Sequence, residues 1–140
     1  MINSAEEFVA LRTSEKPEEY LRAATEAAPI DVWLQIIARF PEMKSWVVHN
    51  KTVPLEILET LARDPDARVR MFVAMKNKLS KPLFSLLAED KDYTVRQRIA
   101  LNKKTPLEIL LKLAEDPGHM VSPTRIRVLK ENADRNNAQT

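Results

Sequence analysis

The sequence predicts an all-α fold, a right-handed α-solenoid of about four two-helix repeats with atypical helical caps. The motif Leu-Ala-x-Asp begins at Leu61, Leu87 and Leu113, so it recurs every 26 residues. A fixed period of this size is typical of stacked supersecondary units that bury their apolar faces against one another. The composition agrees, because one glycine and nine prolines among 140 residues disfavour tight hairpins and favour short helices that begin or end near proline.

The clearest repeat begins with a helix over residues 55–62. Its apolar residues have the spacing of a one-sided helix; they are Leu55, Leu58, Leu61 and Ala62, with Ile57 on the flank. Pro65 ends this helix, and Asp66 is a suitable N-cap for a second helix over 67–76. That helix is expected to turn four apolar residues inward: Val69, Phe72, Val73 and Ala74. Asn77 is expected to end it in the left-handed conformation that asparagine tolerates.

Two further copies follow the same plan. The first helix of the next repeat contains Leu83, Leu86, Leu87 and Ala88, and Asp92 caps a second helix that contains Val95, Ile99 and Ala100. Thr105 and Glu108 have the spacing of a capping box, with Pro106 between them, and predict the start of the third copy. The apolar face of that copy is expected to comprise Leu107, Leu110, Leu111, Leu113 and Ala114.

The segments before the repeats predict helical caps. Ser4 and Glu7 are expected to open a short helix that runs to about Arg12, and a second, amphipathic helix is expected over 17–28. A degenerate repeat follows, in which Trp33 has the spacing of a core residue. We expect a single α-helical repeat domain over 1–130, with capping helices in 1–29, repeats in 30–130 and a disordered tail in 131–140.

Composition and charge exclude several classes of protein. The chain has no cysteine, which excludes disulfides, iron–sulfur clusters and thiolate metal sites. Neither a signal peptide nor an apolar run of membrane-spanning length is evident, so we expect a soluble, cytoplasmic protein with no membrane partner. The net charge of +2 does not indicate a polyanion partner. It divides into −3 over residues 1–50 and +5 over residues 51–140.

The repeated string resembles a known family. It reads Asn-Lys-x-Thr-Pro-Leu-Glu-x-Leu, then Leu-Ala-x-Asp, Val-Arg and Ala-x-x-Asn, and is similar to the leucine-rich repeat variant family, a bacterial relative of HEAT-like repeats. The clearest copies are 54–77 and 81–102, a third begins at Thr105, and the likeness covers roughly 30–130. It implies a solenoid but no particular function. The family's iron–sulfur cluster is held by cysteines that this chain lacks, so no cofactor is expected.

The recurring polar residues have both a structural and a functional interpretation. Asp64, Asp90 and Asp116 recur with Arg70 and Arg96. Metal ligands or catalytic acids rarely recur once per repeat, so we expect the aspartates to accept hydrogen bonds from free backbone N–H groups and from an arginine. The two histidines, His49 and His119, are far apart in the sequence and predict neither a catalytic dyad nor a zinc site.

Two surfaces are candidates for partner binding. Lysines follow the second helices and are expected to form a basic ridge that steers an acidic partner or simply complements helix dipoles; they are Lys51, Lys76, Lys78, Lys103 and Lys104. Other residues vary between copies on the second helices, which line the concave face in HEAT-like stacks; they are Arg68, Met71, Met75, Thr94, Arg98 and Leu101. Trp46 is either a core residue or an exposed anchor.

The leading hypothesis is a non-enzymatic, monomeric module that binds another protein through its concave face or one edge. A bacterial immunity protein that masks a toxin is one specific form of it. The alternative is a nucleic-acid-binding, HEAT-like protein that uses a basic face, with Arg68, Arg98, Arg125 and Arg127 contributing. A third hypothesis is a structural repeat unit that stacks on copies of itself.

Overall fold

A computed structural model describes residues 1–115 and the short stretches 126–127, 130–131 and 133–134. Regular secondary structure in these ranges is helical throughout, which confirms the all-α prediction. The helices are α1 (Ala5–Thr13), α2 (Pro17–Thr25), α3 (Ile30–Arg39), α4 (Lys44–His49), α5 (Leu55–Leu61), α6 (Ala67–Ala74), α7 (Lys81–Ala88), α8 (Tyr93–Leu101) and α9 (Leu107–Leu113), with a short 3-10 helix, Pro41–Met43, before α4.

The chain divides into two compact units, unit 1 (Met1–Val73) and unit 2 (Ala74–Thr140). In unit 1, α1 packs against α2 and α3, α2 packs against α4, and α3 packs against α4 and α5. Trp33 is fully buried, as predicted, and its indole meets the ring of Phe8 edge to face at 5.6 Å between centroids. Aromatic pairs favour this arrangement over a stacked sandwich. The Trp33–Phe8 pair therefore joins α3 to the N-terminal helix α1.

In unit 2, α7, α8 and α9 pack against one another. The core residues share the apolar spacing that predicted these helices; they are Leu83, Phe84, Leu87, Val95, Ile99, Ala100, Ile109, Leu110 and Leu113. Asp92 caps α8, because its carboxylate accepts a hydrogen bond from the N–H of Thr94 at 2.8 Å. The predicted N-cap of this helix is confirmed.

The aspartate turns have the structural role that the sequence predicted. Asp64 and Asp90 each accept a hydrogen bond from the N–H two residues later, at 2.9 Å in both copies. Arg70 donates to the carbonyl oxygen of Asp64 at 2.7 Å, and Arg96 donates to that of Asp90 at the same distance. These guanidiniums satisfy carbonyls at the turns between helices, which lack an intrahelical partner. Asp116 lies outside the described residues.

A second set of buried hydrogen bonds, which we call the asparagine bridges, was not predicted. Asn50 donates from its side-chain amide to the carbonyls of Ala23 and Glu26 at 2.8 and 2.9 Å, and so joins the ends of α4 and α2. In unit 2, the amide of Asn102 likewise donates to the carbonyls of Ala74 and Lys76 at 2.9 and 2.8 Å. Both asparagines are buried, and each bridge satisfies one buried and one partly buried backbone oxygen.

Several local predictions were wrong, including that for Leu111, which is exposed and does not belong to the buried face of α9. Thr105 is not an N-cap: Pro106 occupies that position, the Thr105 hydroxyl donates to the carbonyl of Ile99 at 2.6 Å, and Glu108 forms an ion pair with Lys81. At the start of α5, Leu55 is exposed and Ile57 is buried, because the first residue of a short helix projects beyond the neighbouring packing surface. The left-handed helix ends also do not form, since no residue in the described ranges has a positive φ.

At the carboxyl end, the helical residues include 131 and 133–134, which overlap the predicted disordered tail. The remainder of that tail, together with His119 and Arg125, lies outside the described part of the chain. No helix within the described ranges is both long and apolar enough to cross a membrane.

The asparagine bridge in unit 2 gives a stability prediction. We expect Asn102→Ala to lower the free energy of unfolding by about 1–3 kcal/mol, because one buried and one partly buried carbonyl lose their hydrogen-bond donors. Asn102→Asp keeps the shape but removes the donors, so it is expected to be at least as destabilising. Asn77→Ala is the matched control, since Asn77 is exposed, and is expected to change stability by about 0.5 kcal/mol or less. Urea unfolding measures the difference; equal effects at 102 and 77 would contradict the bridge.

The ion pairs of Glu26 predict a pH dependence of stability. The Arg22 guanidinium has the largest effect on the pKa of Glu26, and the amine of Met1 adds to it; the pKa is lowered from 4.5 to about 2. A carboxyl whose pKa is lower when folded stabilises the protein above its unfolded pKa, and this contribution is lost as the pH falls toward the folded value. Glu26→Gln is therefore expected to lower the Tm at neutral pH, with a difference from wild type that disappears between about pH 4.5 and 2. A difference that persists at pH 2 would refute this assignment. Arg22→Gln is the complementary variant.

Candidate binding site

The structure places the predicted residues of α6 and α4 in unit 1. Arg68 is exposed, and Met71 is half-buried three residues later, so both lie on one face of α6. Trp46, on α4, has 39% of its surface exposed. It is thus an exposed aromatic residue, in line with the second of the two interpretations that its sequence position allowed.

The remaining predicted residues belong to unit 2. Met75, Lys78, Thr94 and Lys103 are exposed, and Arg98 is half-buried. Thr94 and Arg98 are four residues apart and share one face of α8. Of the predicted lysines, Lys76 alone is half-buried, and this burial, together with the nearby charge of Lys78, lowers its pKa.

A concave feature of unit 1 is a cleft beside Trp46. Its volume is about 410 Å³, and its described lining comprises Arg12, Tyr20, Ala23, Ala24, Trp46 and His49. The cleft lies among the end of α1, the middle of α2 and the length of α4. We call it the Trp46 cleft. Its volume is within the range of cavities that hold a small ligand or a few side chains.

A continuous series of stacked side chains forms one side of the Trp46 cleft. The guanidinium of Arg12 lies 3.4 Å from the centroid of the Trp46 ring, which is a cation–π contact. The Trp46 and His49 rings are 5.6 Å apart, and the His49 and Phe72 rings are 5.0 Å apart. Three helices, α1, α4 and α6, therefore contribute to one connected surface.

The local sequence explains how these side chains reach the surface. In α1, Phe8 and Leu11 are buried, so Arg12 in the last turn projects at the edge of the packed face. In α4, Val47 and Val48 are buried, which leaves Trp46 and His49, three residues apart, on the outer side of the same helix. The cleft forms above α2, where the small side chains of residues 23 and 24 leave space.

The aromatic residues of this surface follow the repeat period. Tyr20, Trp46 and Phe72 are each 26 residues apart and lie on α2, α4 and α6. Tyr20 has 42% of its surface exposed, close to the value for Trp46, whereas Phe72 is half-buried. The next position in the series is Arg98. We call Tyr20, Trp46 and Phe72 the aromatic row.

The charge of the Trp46 cleft comes from Arg12. Its Nε is shielded from solvent and has no hydrogen-bond acceptor among the described residues. The described lining contains no carboxylate. An arginine donates hydrogen bonds in a fixed, planar arrangement that matches a carboxylate or a phosphate. The cleft therefore combines aromatic walls with an arginine that can bind an anionic group.

Unit 2 has a smaller cleft. A cleft of about 180 Å³ in unit 2 is lined by Ser85, Ala88, Glu89, Ile109, Lys112 and Leu113, and has less than half the volume of the Trp46 cleft. Within the described stretches, no group of three or more histidine or acidic side chains is placed to hold a metal ion.

Comparison with protein-family models, with curated proteins and with solved structures found no match to this chain. The resemblance to leucine-rich repeat variants therefore remains a prediction from the repeated motif.

Sequence reasoning selected Trp46 but missed the rest of the Trp46 cleft. The 26-residue period could have found Tyr20 and Phe72, because both stand one period from Trp46. Arg12 has no such signal: it lies in the capping helix, before the repeats, and only packing brings it to the indole.

The contact between Arg12 and Trp46 can be tested by fluorescence quenching. Trp33 is fully buried, so acrylamide is expected to quench mainly Trp46. Arg12→Ala uncovers one face of the Trp46 indole and is expected to raise the quenching constant, and Trp46→Phe is expected to abolish the accessible component. Arg39→Ala is the control, because Arg39 pairs with Glu6. An unchanged constant in Arg12→Ala would show that the guanidinium does not cover the ring.

Proposed function

We propose that this chain is a non-enzymatic protein-binding module, built as a right-handed α-solenoid of about four two-helix repeats, and that the aromatic row is its main contact surface. The observation that carries the proposal is the placement of Tyr20, Trp46 and Phe72 at 26-residue intervals on successive second helices, with the first two about two-fifths exposed. Tyrosine, tryptophan and arginine dominate the binding energy of protein interfaces.

The packing within each unit supports the solenoid. In unit 1, two first helices each contact their own second helix and the next first helix: α1 contacts α2 and α3, and α3 contacts α4 and α5. The bonds at the turns recur with the sequence period: those of Asp64 and Asp90 have the same length, and so do those of Arg70 and Arg96. Repetition of both packing and turn chemistry is expected of stacked repeats.

The division between constant and variable positions supports binding rather than catalysis. The constant aspartates and arginines are occupied by bonds to backbone groups, so they are not available for chemistry on a substrate. The variable positions Met75 and Leu101, one period apart, are 47% and 51% exposed. Exposed apolar side chains at equivalent positions of successive repeats provide an interface that desolvation can stabilise.

Charge favours a protein partner over a nucleic acid. Unit 1, which contains the aromatic row, has nine Lys+Arg against twelve Asp+Glu, a net charge of −3. Binding to a phosphate backbone depends on many cations that release counterions. A negative unit with one arginine in its main cleft does not provide them.

The test is affinity capture of partners with the full chain, followed by measurement of the Kd of each partner for variants. Tyr20→Ala and Trp46→Ala are each expected to weaken binding by about 30-fold, the loss typical of a 2 kcal/mol hot spot. Leu34→Ala is the matched control: Leu34 is 46% exposed, but it lies on the first helix α3. A partner whose binding is affected by Leu34→Ala and not by the aromatic variants would contradict the proposed surface. Salt-dependent binding to DNA or RNA, with no protein partner, would overturn the proposed class of function.

A further inference from the structure

Resting on the proposed function, we infer that the Trp46 cleft binds a segment of the partner chain in which one aspartate or glutamate stands next to a large apolar side chain. The carboxylate pairs with Arg12, and the apolar side chain packs between Tyr20 and Trp46. The protein would thus recognise a short acidic–apolar motif rather than an extended acidic region.

The hydrogen bonding of Arg12 supports this inference. Its Nε–H is shielded from solvent and has no acceptor among the described residues. A buried donor without a partner destabilises the free protein. A carboxylate can accept from two nitrogens of one guanidinium, a two-bond geometry that fixes its orientation. Arg12 lines the cleft, whose described lining contains no carboxylate, so its guanidinium is suited to bind an anionic oxygen there.

Three carboxylates on or next to α1 and α2 have partners other than Arg12. Glu7 and Glu26 both pair with Arg22, and Glu26 also lies 3.0 Å from the amine of Met1. Glu19 lies 3.8 Å from Lys16. Within the described ranges, none of these side chains neutralises Arg12, so its charge is available to a ligand.

The lining and the volume of the Trp46 cleft suit an apolar side chain. Trp46 and Tyr20 provide aromatic surface, and Ala23 and Ala24 provide an apolar floor with no bulky side chain. A volume of about 410 Å³ is near the lower end of the range for ligand cavities, so it suits one or two side chains rather than a whole helix. Trp46 is already covered on one face by Arg12, which orients the carboxylate beside the apolar contact.

The negative charge of unit 1 limits the motif to a single acidic group. Unit 1 has a net charge of −3, so acidic residues flanking the one that reaches Arg12 would be repelled. A phosphorylated or nucleic-acid ligand would have more negative charge and only one arginine in the cleft to bind it. The experiment must therefore distinguish both of these ligands from a peptide with a single carboxylate.

The probe is a displayed library of random short peptides, selected against the full chain and counter-selected against Ala24→Leu. This variant keeps every charge and the helix propensity of α2 but fills the floor of the cleft. We expect the enriched peptides to contain one Asp or Glu beside Leu, Ile, Met, Phe, Tyr or Trp. Enrichment of peptides without an acid, of polyacidic peptides, or of none that distinguish the two proteins would overturn the inference.

A double-mutant cycle then tests the pairing of the peptide carboxylate with Arg12. We expect Arg12→Gln to weaken binding of a selected peptide by about tenfold or more, and replacement of the peptide acid by its amide to do the same. The two changes together are expected to cost little more than either alone, since they remove one interaction. Arg39→Gln is the control, and thermal unfolding monitored by circular dichroism shows that each variant is folded. Additive losses would exclude a direct pair.

The outcomes also separate this inference from the proposed function. A natural partner that Trp46→Ala releases and Arg12→Gln retains would leave the protein-binding function standing and refute the acidic motif. A phosphopeptide or oligonucleotide that displaces the selected peptide and binds more tightly would reassign the arginine to phosphate recognition.

Discussion

The structure depends on how it satisfies the backbone groups at the ends of very short helices. The described helices have six to ten residues, and every helix leaves four N–H and four carbonyl groups without an intrahelical partner. In helices this short, a large fraction of the backbone N–H and carbonyl groups lies within four residues of a helix end. The missing donors and acceptors are supplied at buried and partly buried positions by the aspartate turns, the arginines at 70 and 96 and the asparagine bridges.

This constraint separates the residues of the protein that bind turn backbone from those that are free to vary. Polar residues that recur every 26 positions bind backbone groups at the turns and are needed in each repeat. Residues between them on the second helices are free to differ, and it is there that Tyr20, Trp46 and Phe72 form the aromatic row. Function in such a scaffold is expected at variable positions, because a change there leaves the turns intact.

The sequence predicted the helices and many of their caps because these depend on neighbours within four residues. Ser4 accepts from Glu7 as predicted, and Asp66 and Asp92 cap their helices. It failed where a polar side chain had two possible partners. Thr105 could cap the helix that follows or bond back to the preceding one, and the buried carbonyl of Ile99 is its partner. The asparagine bridges were missed for a related reason: Asn50 and Asn102 bond to residues 24 to 28 positions earlier.

By itself the sequence determined the helical class, the 26-residue period, the turn residues and the burial of Trp33, since each is a matter of local propensity or regular spacing. The tertiary structure decided which exposed residues share a surface. Arg12 lies outside the period, in a capping helix, and reaches Trp46 only because α1 packs against α2 and α3, and α2 in turn packs against α4. A periodic pattern relates equivalent positions in neighbouring repeats. It contains no information on a contact between α1, which precedes the repeated motif, and α4, and that contact forms one side of the Trp46 cleft.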